Sequence, residues 1–227
     1  MKSFVFRNYS SQFYKPQPVI NDDLERTLLT IATPWGSKSG ANKSTEIIHN
    51  FYLSARGDQE ATSPFERMRH LSQEANDLRI AVLFANEKIY NEDNNDEYVT
   101  GCELVSMVQV GNEVHFIQVG QPAIYLIRNG ISLLPMACHL DMSMNSSTEK
   151  NLISPMPSKL IGLEKTIDFS VHTFVPQVRD KIIFLSRTFA PSKIFNMDFS
   201  SVNLDSLTIE ISRENPNNPF WIGLLEF

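Results

Sequence analysis

The 227-residue sequence contains few of the features on which several protein classes depend. It has two cysteines, Cys102 and Cys138, which are too few for a disulfide framework and, without clustered histidines, argue against a structural zinc site. No stretch approaches the roughly 18 consecutive apolar residues of a membrane span. The first residues also lack the apolar stretch and the cleavage site of a secretory signal. These absences predict a reduced, cytoplasmic setting and no membrane span.

Basic residues are also scarce relative to acidic ones. The chain has 20 Lys and Arg against 26 Asp and Glu, a formal net charge of −6. Phosphate contacts need clustered cations, so this balance predicts no nucleic-acid partner and no electrostatic membrane anchor. The hydrophobic fraction of 42% is ordinary for a globular protein and supplies enough material for a layered core. No linker divides the chain, which predicts a single domain over residues 1–227.

Apolar periodicity predicts a mixture of strands and helices. Helices are predicted over residues 44–53, with Ser44 as a possible N-cap, and from Pro64 to about Tyr90. A buried strand over residues 28–32 is expected to end at Pro34 and Gly36. Further strands are predicted over 104–110, 114–119, 123–128, 131–134, 168–174, 181–186 and 221–227, with a helix over 203–213. Helices that alternate with antiparallel hairpins predict an α+β layered fold.

The segment from Gly101 to Leu140 carries a recognisable order of motifs. Its matching elements are Val119-Gly120, Tyr125-Leu126, Arg128-Asn129-Gly130 and His139, and outside it lie Ala85-Asn86, Leu160-Ile161-Gly162 and Asp180 to Ser186. In this order the motifs resemble the metal-dependent type 2C, or PPM, Ser/Thr protein phosphatases. The resemblance spans essentially the whole chain. It implies a type 2C phosphatase-like β-sandwich of two antiparallel sheets flanked by helices, in α-β-β-α layers.

The resemblance also implies where two catalytic metals, Mn²⁺ or Mg²⁺, would be bound. Hard cations need oxygen ligands, chiefly carboxylates, and the family supplies five acidic positions. The corresponding residues here, with Pro34 in place of the glycine that follows the bridging acid, are Asp22, Asp23, Thr33, Pro34, Arg187 and Asn218. Three of the five acids are therefore replaced, at Thr33, Arg187 and Asn218, and one replacement is a cation.

The lost carboxylates predict a catalytically inactive pseudophosphatase without a metal cofactor. Such a protein would act as a protein-binding or regulatory module with an unknown protein partner. The alternative is a divergent phosphoprotein phosphatase with a metal site rebuilt around Asp22 and Asp23. A third option is a structural subunit whose partner surface lies elsewhere. Metal binding separates the first two hypotheses, because only a phosphatase needs two ions.

Three local features have both a functional and a structural interpretation. Arg187 either pairs with Asp22 or Asp23 in the former metal site or points to solvent. Cys102 lacks a neighbouring base in the sequence, which favours a buried structural thiol over a nucleophile. An aromatic cluster is either a partner surface or the core packing of a short helix, and its members are Phe189, Phe195 and Phe199.

Overall fold

The computed structural model describes residues 1–10, 17–57, 64–128, 132–137, 157–186, 192–197, 199, 202–214, 216 and 219–227. Two five-stranded antiparallel sheets account for the strands of this part of the chain. The elements are β1 (Ser3–Tyr9), β2 (Val19–Asp23), β3 (Leu28–Gly36), α1 (Ser39–Gly57), α2 (Gln73–Glu92), β4 (Thr100–Val110), β5 (Glu113–Val119), β6 (Ala123–Arg128), β7 (Ser132–Ala137), β8 (Val171–Phe174), β9 (Lys181–Leu185), a 3-10 helix (Ser192–Asn196), α3 (Leu204–Glu214) and β10 (Phe220–Glu226).

One compact unit comprises Pro18–Gly120 and Lys159–Val175. Its sheet has the order β2-β3-β4-β5-β8 and is called the β3 sheet below. Because side chains alternate across a strand, every second residue of β3 to β5 faces α1 and α2. The core on this face includes Leu28, Ile48, Leu78, Leu104 and Ile117, all at most 1% exposed. Burial of this size stabilises the unit by about 1.5–3 kcal/mol for each large side chain.

The other unit comprises Met1–Gln17, Gln121–Ser158 and Pro176–Phe227. Its sheet has the order β1-β10-β9-β6-β7. The helix α3 packs on one face of this sheet through Leu207 and Ile211, which join Ile183, Phe220 and Ile222 in a second buried core. The prediction that residues 1–227 form a single domain stays a prediction.

Two predicted helix starts are wrong. Ser44 does not cap a helix, because α1 begins at Ser39 and Ser44 is buried in its interior. Pro64 does not open the second helix, which begins at Gln73 after the N-cap Ser72. The reason is that the Asn76 side chain binds the backbone of the preceding segment, with its Oδ1 2.7 Å from Met68 N and its Nδ2 2.9 Å from Met68 O. These bonds hold residues before Ser72 outside the helix.

The strands differ from the sequence prediction mainly at their ends. The strand predicted to end before Pro34 continues to Gly36, and Pro34 lies opposite Cys102 of β4. Beyond Ala32, β3 has no β2 partner among the described pairs, so the missing N–H of Pro34 breaks no ladder on that side. Two strands, β1 and β2, were not predicted. Asn129 and Gly130 of the Arg128-Asn129-Gly130 motif lie outside the described residues.

Candidate functional site

The hairpin of β2 and β3 fixes the positions of the two predicted metal-binding aspartates. Asp23 lies opposite Leu28 and Asp22 opposite Leu29, while the last pair at the other end is Val19 with Ala32. Thr33 comes after that last pair. At about 3.3 Å per residue, the aspartates are therefore about 13 to 17 Å from Thr33 along β3. The structure does not bring these predicted site residues together.

The alternation of side chains separates them further. Asp23 shares the face of Leu28, which packs against the helices, and its Oδ2 accepts a hydrogen bond from His49 Nε2 of α1 at 3.0 Å. Asp22, the next residue, faces the opposite way and is exposed. Thr33 also lies on the face away from the helices, since Ala32 belongs to the helix-packed core. The two aspartates therefore cannot bind one ion as a pair alongside Thr33.

Asp23 already has protein cations and donors as partners. Besides His49, Arg26 contacts it through Nη1, 3.2 Å from Oδ2, and through its backbone N, 3.2 Å from Oδ1. The hydrogen bond from His49 is the main cause that lowers the pKa of Asp23, and the bond from the Arg26 backbone lowers it further. The Asp23 side chain is 18% exposed. This carboxylate is satisfied by groups of its own chain.

A different carboxylate lies next to Thr33. Glu103 of β4 is directly opposite Thr33 in the ladder, and the two residues are 1% and 2% exposed. Glu103 Oε2 accepts a hydrogen bond of 3.2 Å from Trp35 Nε1. Directly opposite residues of antiparallel strands share a face, so Thr33 and Glu103 form a buried polar cluster with Trp35 at this end of β3.

Comparison with known proteins adds structural relatives but no sequence relative. Protein-family models and curated protein sequences give no match. PppA, a key regulatory component of T6SS in Pseudomonas aeruginosa, has a similar structure with a TM-score of 0.67 and 16% identity, over 99% of this chain and 97% of that chain. The PPM Ser-Thr phosphatase MsPP from Mycobacterium smegmatis has a TM-score of 0.68 and 12% identity, over 98% and 97%.

A third similar structure is the catalytic domain of the serine threonine protein phosphatase PstP in complex with two manganese ions, with a TM-score of 0.62 and 14% identity over 98% of this chain and 96% of that chain. The chain has the fold of the PPM phosphatases. The fold class expected from the motif order is therefore confirmed. At this level of identity, the comparison establishes the fold and leaves the chemistry to the residues of the site.

The described residues do not fit the two metals that a PPM fold implies. No group of three or more His, Cys, Asp or Glu suited to a metal ion occurs in this part of the chain. At Thr33 the cluster offers one carboxylate and one hydroxyl, while Mg²⁺ and Mn²⁺ prefer several carboxylate and water oxygens. Two further predicted positions, Arg187 and Asn218, lie outside the described residues. The proposed pairing of Arg187 with an aspartate therefore stays a prediction.

Sequence reasoning missed Glu103, His49 and Arg26. Glu103 had a signal, since an acidic residue directly before the apolar run of residues 104–110 is unusual for a strand. Arg26 had a weaker one, three residues after Asp23. Nothing in the sequence links His49 to Asp23, because they meet only when α1 packs on the β3 sheet.

The three phenylalanines of the aromatic cluster differ in their exposure. Phe199 does not belong to a partner surface, because it is 1% exposed and lies in the core that α3 covers. Phe195 is 41% exposed, and its ring meets Tyr125 edge-on at 6.1 Å between centroids. Phe189 lies outside the described residues. Only Phe195 remains as a described candidate for a partner surface.

Cys102 is a buried structural thiol, as predicted. It is fully buried, and its Sγ lies 3.2 Å from Ser44 Oγ of α1. Burial raises the pKa of this thiol to about 12, so it stays protonated and is a poor nucleophile. Separately, no helix among the described residues is long and apolar enough to cross a membrane.

Proposed function

We propose that this chain is a pseudophosphatase, a PPM-fold protein without phosphatase activity that acts as a protein-binding or regulatory module. The observation that carries this proposal is the register of β2 and β3, which leaves Asp22 and Asp23 at the wrong end of β3 and on opposite faces. Without converging carboxylates, two divalent ions would lack the negative charge that holds them. We accordingly expect no metal cofactor.

The regulatory role is supported by the retained fold and by one of the similar structures. PppA is a regulatory component, so a protein with this fold can have a regulatory role. A PPM fold whose described residues do not converge on a metal ion can still present a surface for recognition. We place the protein in the cytoplasm, a setting in which the free thiol of Cys102 would stay reduced.

The alternative of a phosphatase rebuilt around Asp22 and Asp23 has little geometric support. A cation at Asp23 would have to displace Arg26 and compete with His49. Asp22 faces away from Asp23 and could supply only a single exposed carboxylate. The described neighbourhood of these residues adds no third acidic ligand.

The test is a titration of the purified protein with Mn²⁺ in a calorimeter, together with hydrolysis of p-nitrophenyl phosphate. A working PPM phosphatase such as MsPP, assayed in parallel, is the positive control. We expect no saturable heat and no turnover above the buffer rate. Micromolar binding with turnover that Asp23→Ala abolishes would overturn the proposal and relocate the site to the hairpin. Turnover that Glu103→Gln abolishes and Asp23→Asn does not would equally overturn it.

A further inference from the structure

The loop between α2 and β4 presents an exposed tip. Residues 95–99 are all exposed and read Asn-Asp-Glu-Tyr-Val, two acids followed by two apolar residues. Tyr98 is 39% exposed and Val99 46%. Exposed large apolar side chains are ordinary when single, but here they are adjacent and lie beside Asp96 and Glu97. We call residues 95–99 the acidic tip.

The acidic tip is held in a defined conformation by the preceding residue. Asn94 Nδ2 donates to Thr100 O at 2.7 Å and to Gly162 O at 2.6 Å. Its Oδ1 accepts from Val99 N at 2.9 Å and from Thr100 N at 3.0 Å. One side chain therefore closes both ends of the tip. A surface fixed in advance loses less conformational entropy when it binds a partner.

Hydrogen bonds join the tip to Trp35 and Ser37, at the end of β3 that follows Thr33. Tyr98 Oη donates to Trp35 O at 3.0 Å, and Ser37 N donates to Val99 O at 3.1 Å. Partial burial raises the pKa of Tyr98 to about 12, so the phenol remains a donor at neutral pH. Trp35 is anchored in turn by its bond to Glu103. These bonds bring Tyr98 and Val99 to the end of β3, and we call Trp35, Tyr98 and Val99 together the apolar patch.

The acids just before the tip form ion pairs with lysines, whereas the acids of the tip do not pair with any described cation. Glu92 and Asp93 each lie 2.8 Å from Lys43 Nζ, and Lys88 also contacts Glu92. Asp96 and Glu97 make no ion pair with the described residues. Two exposed carboxylates therefore directly precede Tyr98 and Val99 in the tip.

We propose that the acidic tip and Trp35 dock a basic segment of a partner protein. The segment would place an apolar side chain on the patch of Trp35, Tyr98 and Val99, and its Lys or Arg side chains against Asp96 and Glu97. Arg and Lys also bind over the faces of Trp and Tyr rings, and Trp and Tyr dominate binding energy at protein interfaces. The proposal rests on the proposed function, since it names the partner surface of that regulatory module.

The test selects 12-residue peptides from a random display library on the full chain and measures their affinity by fluorescence polarisation. We expect the selected peptides to carry net positive charge and an apolar residue. Trp35→Ala and the double variant Asp96→Asn, Glu97→Gln should each weaken binding at least tenfold. Raising the ionic strength from about 0.05 M to about 0.5 M should weaken it as well, because the tip is exposed.

Matched controls separate recognition from general charge. The double variant Glu25→Gln, Glu66→Gln removes two other exposed acids and should leave the affinity unchanged. Selected peptides without a basic bias would overturn the proposal, and so would equal weakening by the control pair. The outcome is separable from that of the metal titration. An active phosphatase that still binds basic peptides at the tip contradicts only the proposed function, and an inactive protein that does not bind them contradicts only the tip.

Discussion

The two ends of β3 hold their carboxylates in different ways. At the β2 hairpin, Asp23 is near the surface and bound by Arg26 and His49, two cationic or protonatable groups. At the other end, Glu103 is fully buried and accepts a hydrogen bond from the neutral indole of Trp35. A catalytic metal site needs several carboxylates at one point. In this sheet the carboxylates are instead distributed along β3, and at each end the protein's own groups bind them.

This contrast bears on how a PPM fold can hold its carboxylates apart from one another. The ladder of β3 and β4 remains in register through Thr33 and Gly36, where the resemblance to the family implies a bridging acid and the turn that follows it. Glu103 lies directly opposite Thr33, so a carboxyl group is present one strand away. Substitutions at Gly120, Glu103 and Asp23 test whether this buried cluster is a structural support and whether the hairpin carboxylate is only a surface contact.

The largest effect is expected at Gly120, which lies next to Glu103. Its φ is +68°, and an added Cβ would come 2.8 Å from Glu103 Cγ and 3.1 Å from Lys159 O. Gly120→Ala should therefore lower the free energy of unfolding by about 2–4 kcal/mol, measured by urea titration with circular dichroism.

Gly111 provides the matched control for backbone conformation. It also has a positive φ, +56°, but an added Cβ meets nothing within 4 Å. Gly111→Ala should cost about 1 kcal/mol, the conformational part alone. Equal losses for the two variants would show that the Glu103 cluster is loose enough to accept a methyl group.

The second effect concerns the bond between Glu103 and Trp35. Glu103→Ala removes the acceptor of a partly buried indole N–H, which should cost about 1–3 kcal/mol in unfolding free energy. The Trp35 indole resonance in a proton–nitrogen NMR spectrum should shift upfield. Glu103→Gln keeps an oxygen acceptor and is the conservative control, with a smaller loss and a smaller shift. An unchanged indole resonance in Glu103→Ala would contradict the bond.

The sequence predicted the fold better than the site, for a physical reason. The fold follows from patterns that neighbouring residues carry, such as the alternation in residues 104–110 and the apolar positions of α2. The site depends on strand register. Moving a short motif along β2 by a few residues changes the end of the sheet at which it lies, and a shift by an odd number of residues also changes its face. Asp22 and Asp23 were assigned from their resemblance to the acidic pair of the family, while the ladder that separates them from Thr33 forms only in three dimensions.

The smallest effect is expected for Asp23 and His49, and it depends on pH. Because the pKa of Asp23 is lowered in the folded state, its contribution to stability is complete above the unfolded pKa and is lost as the pH falls through the folded value. Asp23→Asn should therefore destabilise by less than about 1 kcal/mol at pH 7. The difference between the stabilities of the variant and the wild type should close as the pH falls below about 4.

Asp22→Asn is the control, because Asp22 is an exposed neighbour on the other face, and it should change stability little at any pH. Unfolding curves recorded from pH 7 to pH 3 distinguish the two variants. A gap for Asp23→Asn that does not narrow at all between pH 4 and pH 3 would mean that the side chain contributes through packing rather than charge.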